Sequence, residues 1–133
     1  MLRNTLFLTA VAIILSGCVV NIQREDGLPK DTEVLRHVVL FKFKDTSSSR
    51  EIREVVDAFR ALPGKVDEIS DFEWGTDVSV ENLQQGFTHC FLVTFRNEDD
   101  RAAYLPHPAH KQFGKMLGPH LDKVLVIDYW SEK

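Results

Sequence analysis

The stretch Phe87-Thr88-His89-Cys90-Phe91-Leu92-Val93-Thr94-Phe95-Arg96 decides the fold, because it alternates without giving up apolar character on either side. At a period of two, Phe87, His89, Phe91, Val93 and Phe95 share one face, and Thr88, Cys90, Leu92 and Thr94 share the other. A strand with one wet face would carry charged or amide groups along it. Apart from its terminal Arg96, this stretch does so on neither face, so both faces predict a cover.

The same pattern recurs outward along the chain. Val34–Lys44 predicts a strand with Leu35, His37, Val39, Phe41 and Phe43 pointing one way, and Val38 and Leu40 pointing the other beside Arg36 and Lys42. Ile69–Val80 predicts a weaker strand anchored by Phe72 and Trp74, with Gly75 marking a bulge or close approach. In Val124–Trp130, Val124, Val126, Asp128 and Trp130 oppose Leu125, Ile127 and Tyr129. Between the strands lie two helical signals. Ser48 and Glu51 have capping-box spacing, Ile52, Val55, Val56, Phe59 and Leu62 follow at helical intervals, and Pro63-Gly64 ends the run. Asn97, followed by Glu98, Asp99 and Asp100, opens a second helix whose first-turn acids suit the helix dipole. That helix carries Tyr104, must break near Pro106, and restarts with Pro108 in its first turn, running to Leu117 before Gly118-Pro119.

The resulting order, strand–helix–strand–strand–helix–strand, is the α+β ferredoxin-like arrangement of two helices on one face of a four-stranded antiparallel sheet. Helices on one face leave the other face bare, although its residues are apolar. A second copy of the same sheet is the simplest cover, which predicts a homodimer closed as a dimeric α/β barrel.

Composition narrows the function classes. The 133 residues suffice for one domain, and 44% apolar with 27% charged residues excludes a disordered chain. A formal net charge of −4 without a basic stripe argues against nucleic acid as a partner.

At the N-terminus, Arg3 precedes an apolar run from Leu6 to Leu15, then Leu15-Ser16-Gly17-Cys18. This has the form of a secretory signal and is too short for an ordinary spanning helix. The tetrapeptide resembles the lipobox of bacterial lipoproteins, which implies cleavage before Cys18 and acylation of its thiol and new amine. Residues 1–17 are then a signal peptide, 18–33 a lipidated cysteine with a flexible tether of roughly 20 Å, and 34–133 the folded domain. Several acyl chains would anchor it stably where a single chain would not. Val19 resembles residues that permit transfer to an outer membrane, so the expected place is the periplasm-facing cell envelope. With Cys18 lipidated, Cys90 has no disulfide partner, and its strand position predicts a small buried apolar group.

The chemistry concentrates in Tyr104-Leu105-Pro106-His107-Pro108-Ala109-His110. The proline break holds Tyr104 and His110 close, and a phenol beside an imidazole can donate and accept a proton. The same pair serves equally well as a satisfied structural contact. His37, His89, His107 and His110 also suggest a metal site, but no acid or cysteine joins them at a recognised ligand spacing, so neither metal nor cofactor is expected. Trp74 reads as core, Lys42 and Lys44 as solvated strand ends, and His120 as exposed.

Together, Leu35-Arg36-His37-Val38-Val39-Leu40-Phe41-Lys42-Phe43-Lys44, Trp74-Gly75-x-Asp77-Val78, Thr88-His89, Tyr104-x-x-His107-Pro108-x-His110 and Ile127-Asp128-Tyr129 resemble the stress-responsive dimeric α/β-barrel (Dabb) family over Val34–Tyr129. The resemblance implies a ferredoxin-like protomer and a barrel-forming homodimer, but no single activity. At its functional positions the chain is similar to a plant member that carries out an aldol-type polyketide cyclisation. That similarity implies that Tyr104 hydrogen-bonds a substrate carbonyl, His110 acts as general base and Asp128 orients His110. His37, Phe59, His89 and His107 would contribute to the ligand site. Phe59 stands where the cyclase has a pocket tyrosine, which implies a different ligand. A lipid-anchored domain would also lie apart from cytosolic thioester intermediates. The expected function is therefore a membrane-anchored protein that binds a small hydrophobic ligand or serves a stress response. The alternative is a cofactor-free acid/base enzyme, cyclase- or isomerase-like, acting on a small carbonyl compound.

Overall fold

The computed structural model describes residues 33–132. The signal segment, Cys18 and almost all of the tether expected from the sequence lie outside the described residues. The elements run β1 (Leu35–Phe43), α1 (Ser49–Arg60), β2 (Asp71–Thr76), β3 (His89–Phe95), α2 (Glu98–Tyr104), α3 (Pro108–Leu117) and β4 (Leu121–Trp130), with 3₁₀ turns at Leu62–Gly64 and Gly118–His120. The strands form one antiparallel sheet in the order β2-β3-β1-β4, so β1 is central, and among the described residues β4 pairs with β1 alone. This is the ferredoxin-like fold expected from the strand and helix order.

Both helix starts form as their side chains dictate. Ser48 Oγ accepts from the Glu51 amide, while the Glu51 carboxylate accepts from the Ser48 amide, a closed capping box. Asn97 caps α2 by accepting from the Asp100 amide. The alternate residues of β1 and β3 pointing at the helices make the core. Phe41, Phe91 and Phe95 join Phe59 from α1 and Phe113 from α3, all buried. Phe59 lies 4.5 Å, centroid to centroid, from both Phe91 and Phe113. Burying a side chain of this size contributes on the order of 1.5–3 kcal/mol.

Several expectations need correction. The second strand is shorter than Ile69–Val80: β2 ends at Thr76, opposite the first residue of β3, and the Asp77 carboxylate then turns the chain by accepting from the Ser79 amide. Val78 and Val80, 88% and 91% exposed, alternate like strand residues but have no strand to pair with. Gly75 marks neither a bulge nor a close approach: the β2–β3 register is unbroken, and a Cβ there would meet nothing within 4 Å. Trp74 is 40% exposed because β2 is an edge strand. Its ring stacks on Phe91, and the Arg60 guanidinium lies over it at 5.4 Å. Cys90 is exposed rather than buried, because it points to the face the helices do not cover. His120 is half-buried and within 3.0 Å of Ser47 Oγ through Nδ1. Lys42 pairs with Asp122 at 2.8 Å, and Lys44 donates to the Pro119 carbonyl at 2.9 Å.

The uncovered face carries Val38 and Leu40 from β1, Leu92 from β3, and Leu125, Ile127 and Tyr129 from β4. The three from β4 are 40–50% exposed.

Candidate functional site

On the helix side of the sheet, polar groups gather around the end of α2. His37 sits on central β1 directly opposite Asp128 on β4. Its Nδ1 lies 2.6 Å from Asp128 Oδ1. An ionised carboxylate can only accept, so Nδ1 carries the proton and donates. The other oxygen, Oδ2, accepts from Arg101 Nη1 at 2.8 Å. A chain of three side chains therefore runs from the half-exposed Arg101 to the buried His37.

Tyr104 is the last residue of α2 and is completely buried. Its ring stands edge-on to His37 at 6.0 Å, tilts against Phe95 at 5.1 Å, and lies 4.3 Å from the His110 ring. Its hydroxyl is the one buried side-chain polar atom among the described residues without a hydrogen-bond partner. Leaving such a group unpaired costs about 1–3 kcal/mol. Burial also pushes the phenol well above its ordinary pKa, so it remains a neutral O–H donor across the physiological range.

The proline break positions the two neighbouring histidines. Pro106 and Pro108 cannot donate, and the chain turns with the His107 amide bonded to the Tyr104 carbonyl at 3.0 Å. His107 caps α3, its Nδ1 accepting from the Ala109 amide at 3.1 Å, which places the proton of the neutral ring on Nε2. His110 Nδ1 donates to the Leu105 carbonyl at 3.0 Å, which leaves Nε2 of the neutral ring as an acceptor.

The expected site residues divide. Tyr104, His110, His37, His107 and Asp128 belong to this one region, but Asp128 orients His37 and not His110, because strand register places it opposite His37 while His110 is held by a backbone carbonyl. Phe59 is 1% exposed and packs within the phenylalanine cluster. His89 stands at the opposite end of β3 from Phe95, the residue the Tyr104 ring packs against, roughly 20 Å away along the strand. There it stands edge-on to Phe43 at 5.0 Å, its Nδ1 is 2.9 Å from Thr88 Oγ1, and burial lowers its pKa. It borders a separate cavity of about 380 Å³ on the open side of the sheet, whose walls include Leu40, Leu83, Phe87 and Leu125. Among the described residues no three His, Cys, Asp or Glu side chains gather where they could hold one metal ion.

Sequence reasoning missed Arg101. A signal was present: Arg101 stands three residues before Tyr104, which on a helix puts the two on the same side.

A model of the stress responsive A/B barrel domain matches residues 35–131. A stress-response A/B barrel domain-containing protein of Arabidopsis thaliana is 44% identical over 95 residues, covering 71% of this chain and 87% of that one. Olivetolic acid cyclase of Cannabis sativa is 31% identical over 99 residues, covering 74% of this chain and 98% of the cyclase. Among solved structures, hydroxynitrile lyase from Passiflora edulis superposes with a TM-score of 0.71 at 27% identity, covering 75% of this chain and 94% of the lyase. A dimeric protein of unknown function and ferredoxin-like fold from Bacteroides fragilis gives 0.60 at 29% identity, covering 72% and 94%.

Proposed function

We propose a function that proceeds from one premise: this chain belongs to the stress responsive A/B barrel domain family. The domain binds a small, largely apolar compound carrying a carbonyl or similar acceptor oxygen, and Tyr104 donates its hydrogen bond to that oxygen. The observation that carries this reading is the buried, unpaired Tyr104 hydroxyl, a donor lacking the acceptor that buried hydroxyls normally find. Val124, Val126 and Trp130, on the same side of β4 as Asp128 and 42–48% exposed, supply apolar surface beside the polar cluster. The test is a thermal-shift screen of small apolar ketones and aldehydes against wild type and Tyr104→Phe. Compounds that stabilise wild type should leave the variant unshifted, and equal shifts in both would refute the assignment.

A second reading, an acid/base step on the bound carbonyl, is favoured by the two imidazole rings beside Tyr104, His110 at 4.3 Å and His37 at 6.0 Å. Relatives named as a cyclase and a lyase support it.

The working unit is a homodimer closed through the open sheet face, a reading supported by the exposed apolar residues there and by the dimeric neighbour of the same fold. It is held at the bacterial cell envelope by lipid on Cys18. Incorporation of an alkyne-tagged palmitate into the full chain, abolished by Cys18→Ser, would support the anchor; unlabelled wild-type protein in the membrane fraction would refute it.

A further inference from the structure

We infer that His37, rather than His110, is the proton-accepting group of this site, and that Arg101 is a positioning residue acting on it through Asp128. This deepens the Tyr104-centred reading and rests on it. Three imidazoles lie near the Tyr104 ring or its helix break, and they differ in what holds them. His107 spends its Nδ1 lone pair on the cap of α3. His110 leans on the Leu105 carbonyl, which fixes a tautomer but carries no full charge. His37 alone is backed by a carboxylate, at 2.6 Å. A carboxylate at Nδ1 fixes the neutral tautomer with its lone pair on Nε2 and steadies the imidazolium once Nε2 is protonated. Arg101 completes the arrangement. Its guanidinium, 2.8 Å from the second carboxylate oxygen, holds Asp128 by a charge-assisted hydrogen bond and so keeps it aimed at Nδ1.

The reaction class follows from the pair of groups. A proton leaves the carbon next to a carbonyl for His37 Nε2, the C–H electron pair becomes the enolate, and the enolate oxygen accepts the Tyr104 hydrogen bond. Returning the proton to the same carbon or a conjugated one completes exchange or isomerisation. No co-reactant is needed. The substrate class is thus an enolisable carbonyl compound with an apolar body.

The experiment follows deuterium entry from D₂O into cyclohexanone by proton NMR, using the full chain. Wild type should accelerate exchange over buffer, and His37→Gln should lower the protein-dependent rate about 100-fold, a loss at least about tenfold greater than that of His110→Gln. Arg101→Met should lose most of the rate and Arg101→Lys regain part of it. In ¹⁵N-histidine spectra the His37 Nδ1 proton should be downfield in wild type and shift in Asp128→Asn. That isosteric change lies at a half-exposed position and carries the rate test if His37→Gln fails to fold. Loss of exchange in His110→Gln with retention in His37→Gln, or in Asp128→Asn where that variant carries the test, overturns the inference. So does a wild type without acceleration: if a Tyr104-dependent thermal shift persists, the binding reading survives, and if it is absent too, both fail.

Discussion

The two faces of this sheet are built from similar residues and have opposite fates. Toward the helices, Leu35, Val39, Phe41, Phe91, Val93 and Phe95 are all buried under side chains of α1, α2 and α3. Away from them, Val38, Leu40 and Leu92 on the same two strands are only half-buried and Cys90 is open, while the apolar residues of edge strand β4 from Val124 onward are 40–50% exposed on both of its sides. The difference lies in what the chain supplies as cover. Helix-face stability is therefore intramolecular and independent of concentration, whereas stability drawn from the open face rises with protein concentration.

That contrast can be broken in several ways. The largest effect should come from the covered face: Phe59→Ala leaves a void among Phe41, Phe91 and Phe113 and should cost about 3–5 kcal/mol in denaturant unfolding. A loss below 1 kcal/mol would mean that the phenylalanine cluster is loosely packed. Next is Leu125→Asp combined with Ile127→Asp. Placing charges on the open face should weaken self-association at least about 100-fold, roughly 2.7 kcal/mol, in sedimentation equilibrium, while circular dichroism stays native. Unchanged association would show that the partner docks elsewhere. A smaller effect of opposite sign belongs to Tyr104→Phe. Deleting a buried donor without an acceptor should stabilise the ligand-free protein by about 1 kcal/mol, and a destabilised variant would reveal a partner for the hydroxyl. The smallest concerns Cys90. Desolvation, with Glu73 adding its charge, raises the thiol pKa, so less thiolate is present at neutral pH and alkylation should trail free cysteine until the pH rises further. Reaction should slow again as concentration drives dimer formation, and a concentration-independent rate would count against burial of Cys90 in the interface.

The faces were legible in the sequence because strand periodicity needs only neighbouring residues. His37 was assigned to the side of Phe41, and Ile127 to the side opposite Asp128, from alternation alone, and the register agrees. The helix break was legible for the same local reason, since Pro106 and Pro108 act on adjacent backbone. What failed depended on distant parts of the chain. Val78 and Val80 alternate properly, yet β3 begins too late to pair with them. Asp128 found His37 instead of His110 because the β1–β4 register joins residues 91 positions apart. Cys90 read as interior since a strand apolar on both sides does not say which side its own helices will take.

Among the described residues β4 bonds to β1 on one side only, so its outer edge presents amide and carbonyl groups along much of a ten-residue strand that carries valines and isoleucine. Such an edge recruits strands indiscriminately in free solution. If the chain is held by lipid at Cys18, encounters are confined to two dimensions and a shared orientation, which favours like-with-like pairing over disordered clumping. Stripped of its anchor and crowded in a test tube, the same strand becomes the first place to look when the protein precipitates.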